Sequence, residues 1–198
     1  MRIAIEGPPG VGKSSLCRAL AERVPGACVI EEPVLENLYL GDYYKNPDRW
    51  ALSMQLDLLV QRALAACEFL NTENTQFFDR SLLGDRIFAK AVYRMGLMED
   101  REYATYLKVF EALTLRVKIQ PDCLVYLRAE PQVVYDRIRS RARPEETNGS
   151  GMSFDYLQRV WGEYEEFMSQ DRDMPVLTLD WNEFQPTDAV LTVLEPYV

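Results

Sequence analysis

The sequence predicts an α/β domain in which five parallel strands are flanked by helices. Three observations carry this expectation. Short, continuously apolar segments alternate with longer helix-like ones along the chain, the pattern of a parallel sheet covered on both faces. The 198 residues, 47% of them hydrophobic, suffice for one such domain with a full core. The first apolar segment runs into the turn Gly7-Pro8-Pro9-Gly10-Val11-Gly12-Lys13-Ser14, which opens a helix and has the strand–turn–helix form of a phosphate-binding P-loop.

In chain order, the apolar run Ile3 to Ile5 places a strand at 2–6, and the segment from Ser15 to Arg23 places a helix at 13–23. A second strand is expected at 27–31, ending before Pro33, which holds its preceding residue extended. A long helix follows at about 46–70, then a strand at 76–79 containing Phe77-Phe78, and helices at 82–94 and 100–118. The remainder reads as a strand at 122–127, helices at 131–142 and 153–170, a strand at 175–179 and a last helix at 186–194. The Gly-, Asn- and Ser-containing stretch from Pro144 to Gly151 separates two helices. No repeat, low-complexity tract or linker divides residues 1–198, so a single domain is expected.

Composition narrows the chemistry. The chain has no histidine, which removes His-based proton transfer and makes a zinc site improbable, leaving carboxylates to move protons. A net charge of −9 argues against a nucleic-acid partner, because such surfaces need a basic field. Cys17, Cys28, Cys67 and Cys123 show no CxxC pairing and read as reduced thiols, which predicts a cytoplasmic protein. The first residues already read as a strand, so no signal peptide is expected, and no apolar run is long enough to span a membrane.

The P-loop physics is specific. Gly7, Gly10 and Gly12 let successive backbone N–H groups turn inward around a polyphosphate, and the helix that follows adds its positive end. Lys13 then reaches the β- and γ-phosphates and the Ser14 hydroxyl ligates Mg²⁺, with Pro8, Pro9, Val11 and Ser15 completing the cradle. At the carboxyl end of the second strand stand Glu31 and Glu32, of which only one can face the ligand side. The third strand ends in Asp79-Arg80-Ser81. Asp79 there can hold Mg²⁺ or its waters while Arg80 orients a carboxylate or a phosphate; alternatively Asp79 caps the next helix and Arg80 pairs at the surface.

Taken together the chain resembles the deoxynucleoside kinase family, and looks closest to its bacterial deoxyadenosine and deoxyguanosine kinase branch. The resemblance rests on GPPGVGKS, Glu32-Pro33, YKNPDRW from Tyr44 to Trp50, Gln55 with Arg62, DRSLLGDR from Asp79 to Arg86, RIRSRARPEE from Arg137 to Glu146, and LTLDWNEF from Leu177 to Phe184. It implies a P-loop kinase with an Arg-rich lid over about 137–151, taking ATP and Mg²⁺ and phosphorylating the 5′-hydroxyl of a deoxynucleoside as a homodimer. By the same resemblance Glu32 is the general base, acting with Arg80 and Lys13. Tyr44 and Glu146 bind the 3′-hydroxyl, Gln55 the base edge, and Arg62 with Asp85 favours purines or deoxycytidine over thymidine. Arg137, Arg141 and Arg143 line the triphosphate, and Asp180 and Glu183 border the donor adenine.

Two rival readings stay open at this level. A thymidylate-type monophosphate kinase shares the P-loop, a strand-end Glu-Pro and an Asp-Arg pair, but carries an arginine where this chain has Glu31. A non-catalytic P-loop nucleotide-binding regulatory protein also stays open, although a GTP-dependent switch would need NKxD and DxxG motifs, which the chain lacks.

Overall fold

The computed structural model describes residues 1–32, 37–68, 73–117, 120–141 and 153–198. Five strands, β1 (Arg2–Glu6), β2 (Cys28–Ile30), β3 (Gln76–Asp79), β4 (Cys123–Arg128) and β5 (Val176–Asp180), form one sheet in the order β2-β3-β1-β4-β5. Every pairing is parallel, with Ile5 beside Asp79, Glu6 beside Tyr126 and Arg128 beside Asp180. All carboxyl ends therefore lie on one edge, where ligands of such sheets bind.

The strands alternate between two cores, as a two-residue period demands. Ile3, Ile5, Phe77, Val125 and Leu127 face one layer, packed on Leu16, Cys17 and Leu20 of α1 (Lys13–Arg23), Val134 and Ile138 of α6 (Pro131–Arg141), and Val190 and Leu194 of α8 (Thr187–Leu194). Ala4, Phe78 and Leu124 face the other, against Ala66 of α3 (Pro47–Glu68), while Tyr126 meets Val160 and Tyr164 of α7 (Phe154–Met168). Phe77 and Phe78 are thus core residues and offer no stacking surface.

Beyond that second layer, α3 packs with α4 (Leu82–Arg94) and α5 (Asp100–Val117) through Leu59, Ala63, Leu82, Ala89, Tyr106 and Phe110. Among the described residues, two elements are absent from the sequence reading, α2 (Leu40–Lys45), a single short helix, and a terminal 3-10 turn at Glu195–Tyr197. Asn46 interrupts α2 at φ −146°, ψ 80°, and α3 restarts at Pro47, whose fixed φ suits a first helical position. The interruption leaves α2 as a separate wall, with Tyr43 packed against Ala51 and Met54 of α3.

Candidate active site

The P-loop joins β1 to α1, and its glycines are fixed by close neighbours. Gly10 and Gly12 have φ of 82° and 108°, where side chains are strained, and a Cβ would lie 2.3 Å from Ile138 Cγ1 or 3.0 Å from Phe184 Cε1 respectively. Gly12 starts α1 without a side-chain cap, leaving its first-turn N–H groups directed at the loop. Lys13 is buried, and its Nζ donates to Gly7 O and Pro8 O, both at 3.2 Å. Burial and then the nearby Arg80 charge bring its pKa down to about 8, although Glu32, Asp79 and Glu6 pull the other way. A multiply charged phosphate would restore the protonated form.

Opposite the loop, Glu32 and two arginines form the centre of the site. Glu32 Oε1 accepts from Arg80 Nε at 2.7 Å and from Arg62 Nη2 at 3.1 Å. Its Oε2 receives no hydrogen bond among the described residues, and the side chain remains 20% exposed. Burial alone would raise the Glu32 pKa, but Arg80, Arg62 and Lys13 overcome it and hold the carboxylate at about 2. Glu31 points the other way, paired with Arg18 at 2.9 Å on the surface. Only one of the two acids therefore enters the site, although β2 ends at Ile30 and both lie just beyond it.

Arg62 and Asp85 lie behind this centre. Arg62 Nε donates to Asp85 Oδ2 at 2.7 Å and Nη1 to the Asp79 carbonyl at 3.3 Å, with both side chains at most 3% exposed. Burial raises the Asp85 pKa against the opposing pull of Arg62. Gln55 is buried two helical turns before Arg62 on the same face of α3, and its Oε1 has no hydrogen-bond partner among the described residues. Tyr44 on α2 is half-buried and packs at a tilt on Tyr43, 5.9 Å between ring centres. Asp79 is buried, and its Oδ1 also lacks a hydrogen-bond partner among the described residues.

Arg80 holds an unusual backbone. Its φ of 75° is the one positive value at a non-glycine among the described residues, and such a left-handed residue costs about 1–2 kcal/mol. The turn is fixed by Arg80 N donating to Ile5 O at 3.1 Å and Ser81 N donating to Glu6 Oε1 at 2.7 Å. The guanidinium lies 4.2 Å above the Phe88 ring, and Nη1 donates to the Tyr164 hydroxyl at 2.6 Å. Neither Glu6 nor Tyr164 stood out in the sequence. Glu6 reads there as the last residue of a strand, and Tyr164 as one aromatic in a helix.

On the donor side, Arg137 Nη2 donates to Asn182 O at 2.9 Å and its guanidinium stacks on Phe184, 4.0 Å from the ring centre. It thus meets the loop after β5. Asp180 Oδ1 accepts from Asn182 N at 3.0 Å and from Asn182 Nδ2 at 2.9 Å, so it shapes that loop, while Glu183 is exposed. Trp181 and Phe184 meet edge-on beside Gly12. Arg141 is exposed at the end of α6. Arg143, Glu146 and most of the expected lid lie outside the described residues.

A phosphate cradle facing a carboxylate clamped by two arginines is the equipment of a phosphoryl transferase. The family model for deoxynucleoside kinases matches residues 3–192. The chain belongs to the deoxynucleoside kinase family. Its similarity to individual kinases of that family runs along most of its length. A deoxyadenosine kinase of Dictyostelium discoideum is 34% identical over 183 residues, covering 92% of this chain and 73% of that protein. The deoxyadenosine/deoxycytidine kinase of Bacillus subtilis is 32% identical, covering 89% and 81%. The deoxyadenosine kinase from M. mycoides with products dCMP and dCDP bound superposes with a TM-score of 0.87 at 30% identity, over 99% of this chain and 100% of that one. The same M. mycoides enzyme with bound dATP gives 0.84 at 30% identity, over 99% and 98%. The expectations of a deoxynucleoside kinase and of a five-stranded parallel P-loop sheet hold.

Proposed function

We propose that this kinase transfers the γ-phosphoryl group of ATP to the 5′-hydroxyl of a purine deoxynucleoside or deoxycytidine. The observation that carries the reading is Glu32, ionised under the influence of Arg80, Arg62 and the P-loop Lys13, with Oε1 anchored by both arginines and Oε2 without a hydrogen bond among the described residues. Oε2 accepts the 5′-hydroxyl proton as the sugar oxygen approaches the γ-phosphorus. Because the transition state is loose, the proton leaves late, when the forming phosphoester has made the oxygen acidic, and a weakly basic carboxylate suffices. Arg80 keeps Glu32 aimed, and Lys13 leaves the loop carbonyls to bind the β- and γ-phosphates.

Mg²⁺ fits the residues present. Asp79 offers a buried oxygen without a partner and Ser14 a hydroxyl at the start of α1, and no cluster of three or more acidic or cysteine ligands occurs among the described residues. That sparse set suits an ion that keeps its waters and binds chiefly through nucleotide phosphates. When bound, the ion offsets charge on the transferring group. Tyr44 and Glu146 take the 3′-hydroxyl, and the Gln55 amide, whose Oε1 has no partner among the described residues, meets the base edge. Arg137, Arg141 and Arg143 serve the triphosphate, and the loop from Asp180 through Glu183 borders the donor base. A homodimer through α3 and α5 is supported by Leu64 and Leu115, 62% and 77% exposed on those helices. The four unbridged cysteines suit a reducing cytoplasm.

Glu31 turns outward to Arg18, so of the two adjacent acids only Glu32 would repel a monophosphate acceptor. An assay coupled to ADP release, offering the four deoxynucleosides and their monophosphates, is therefore the deciding experiment. Turnover is expected with deoxyadenosine, deoxyguanosine or deoxycytidine, with thymidine slower by about tenfold or more because it leaves a charged floor unpaired. Turnover of monophosphates alone would overturn the reading.

The donor site also predicts a pH dependence. Lys13 has a pKa of about 8 in the free protein, and bound phosphates favour its charged form, so binding above that pH must take up a proton. The dissociation constant for ATP, followed calorimetrically, is expected to rise as pH climbs through about 8, approaching tenfold per pH unit above it. A flat profile would remove Lys13 from phosphate binding.

A further inference from the structure

Arg80 is held from behind by groups that touch neither proposed substrate. Tyr164, fully buried on α7, accepts from Arg80 Nη1 at 2.6 Å and donates its own proton to Glu6 Oε2 at 3.0 Å. Glu6, fully buried at the end of β1, uses its other oxygen for Ser81 N and Ser81 Oγ, each at 2.7 Å. One buried carboxylate thus ties down the amide that follows the left-handed Arg80 and, through a tyrosine hydroxyl, the Arg80 guanidinium. The fit is tight. A Cβ on Gly84 would stand 2.6 Å from both Arg80 Cγ and Glu6 Oε2.

The sequence position of Glu6 gives this arrangement its consequence. It directly precedes Gly7, the first glycine of the P-loop. The path from Gly7 runs through Glu6, the Tyr164 hydroxyl and Arg80 to Glu32 Oε1, joining the phosphate cradle to the proton acceptor through three short hydrogen bonds. A direct Glu6–Arg80 ion pair would draw the guanidinium away from Glu32. The interposed hydroxyl instead accepts one N–H of Arg80 and leaves Nε for Glu32. The Tyr164 ring is itself fixed, parallel to Tyr126 at 5.6 Å and edge-on to Phe88 at 6.1 Å.

We infer that Tyr164 and Glu6 are positioning residues for phosphoryl transfer, holding Arg80, and through it Glu32, in register with the P-loop. The inference rests on the kinase reading above. In-line transfer depends on sub-ångström placement of the attacking oxygen against the γ-phosphate, so a loosened Arg80 should lower kcat more than it lowers binding.

The test is a double-mutant cycle of Tyr164→Phe and Arg80→Lys, with kcat, KM for the best deoxynucleoside, KM for ATP and thermal midpoint measured for each. Phenylalanine keeps both ring contacts, so Tyr164→Phe is expected to fold. Its kcat is expected to fall about tenfold or more while both KM values stay within about threefold. In the Arg80→Lys background the same change is expected to alter kcat less than about twofold, because its effect passes through Arg80. Glu6→Gln, which keeps an acceptor for Ser81 but offers the tyrosine an N–H, is expected to reproduce the kcat loss. Unchanged kcat in Tyr164→Phe, or losses that multiply fully with Arg80→Lys, would overturn the inference. An inactive wild-type protein would instead overturn the kinase reading.

Discussion

Glu32→Gln is expected to lower kcat by about 10²-fold or more while changing the deoxynucleoside KM far less, as loss of a general base does. The substitution is nearly isosteric, so the geometry decides what changes. Arg80 and Arg62 both need an acceptor where Glu32 Oε1 now sits, and the amide oxygen must turn toward them. The amide NH₂ then takes the place of Oε2 and offers a donor to the 5′-hydroxyl, which can no longer lose its proton there. Steady-state kinetics reads this directly. Near-normal turnover would remove Glu32 from proton transfer. The same carboxylate, with its pKa depressed to about 2, contributes stability that is present above its ordinary value and lost as pH falls through about 2. It is therefore ionised throughout the working range, and neutral-pH inflections in the wild-type rate belong to other groups.

How much of this was legible in the sequence follows from how local each feature is. The P-loop, its strand and its helix are encoded within one continuous stretch from Arg2 to Arg23, and β3, α1 and α4 fall at the expected bounds. That only one of Glu31 and Glu32 can face inward was legible from alternation, while the choice of Glu32 came from the family resemblance. Short α2 was missed because Gly41 and Asn46 break any helical period before it can register. Tyr164 was illegible for a different reason. It meets Arg80 across 84 residues of chain, and its ring lies on the apolar face of α7, where it is indistinguishable from core. Arg62 shows the same limit in part. The family resemblance assigned it with Asp85 to base choice, yet its bonds to Glu32 and to the Asp79 carbonyl depend on how α3 meets the chain beyond two strands, which spacing cannot encode.

That second role of Arg62 shapes the other large effect. Asp85→Ala is expected to destabilise the protein by about 3–5 kcal/mol, because it strands a guanidinium that is only 2% exposed. For a chain of this size each kcal/mol moves Tm by roughly 2–4 °C, so calorimetry should record a fall of about 6–20 °C. A smaller loss would mean that Glu32 and the Asp79 carbonyl alone satisfy Arg62. Replacing both partners, Arg62→Met with Asp85→Leu, separates stability from function. Removing the pair together leaves no unpaired charge, and most of the lost stability is expected to return. Activity is not expected to return with it, since Glu32 then keeps Arg80 as its one arginine partner. With the polar floor gone, the ranking of nucleosides is expected to shift toward thymidine, whose edges no longer face unmatched charges. A variant that regains its Tm but keeps the wild-type ranking would show that base choice lies with Gln55 and the α2 wall, and that the Arg62–Asp85 pair serves chiefly to aim Glu32.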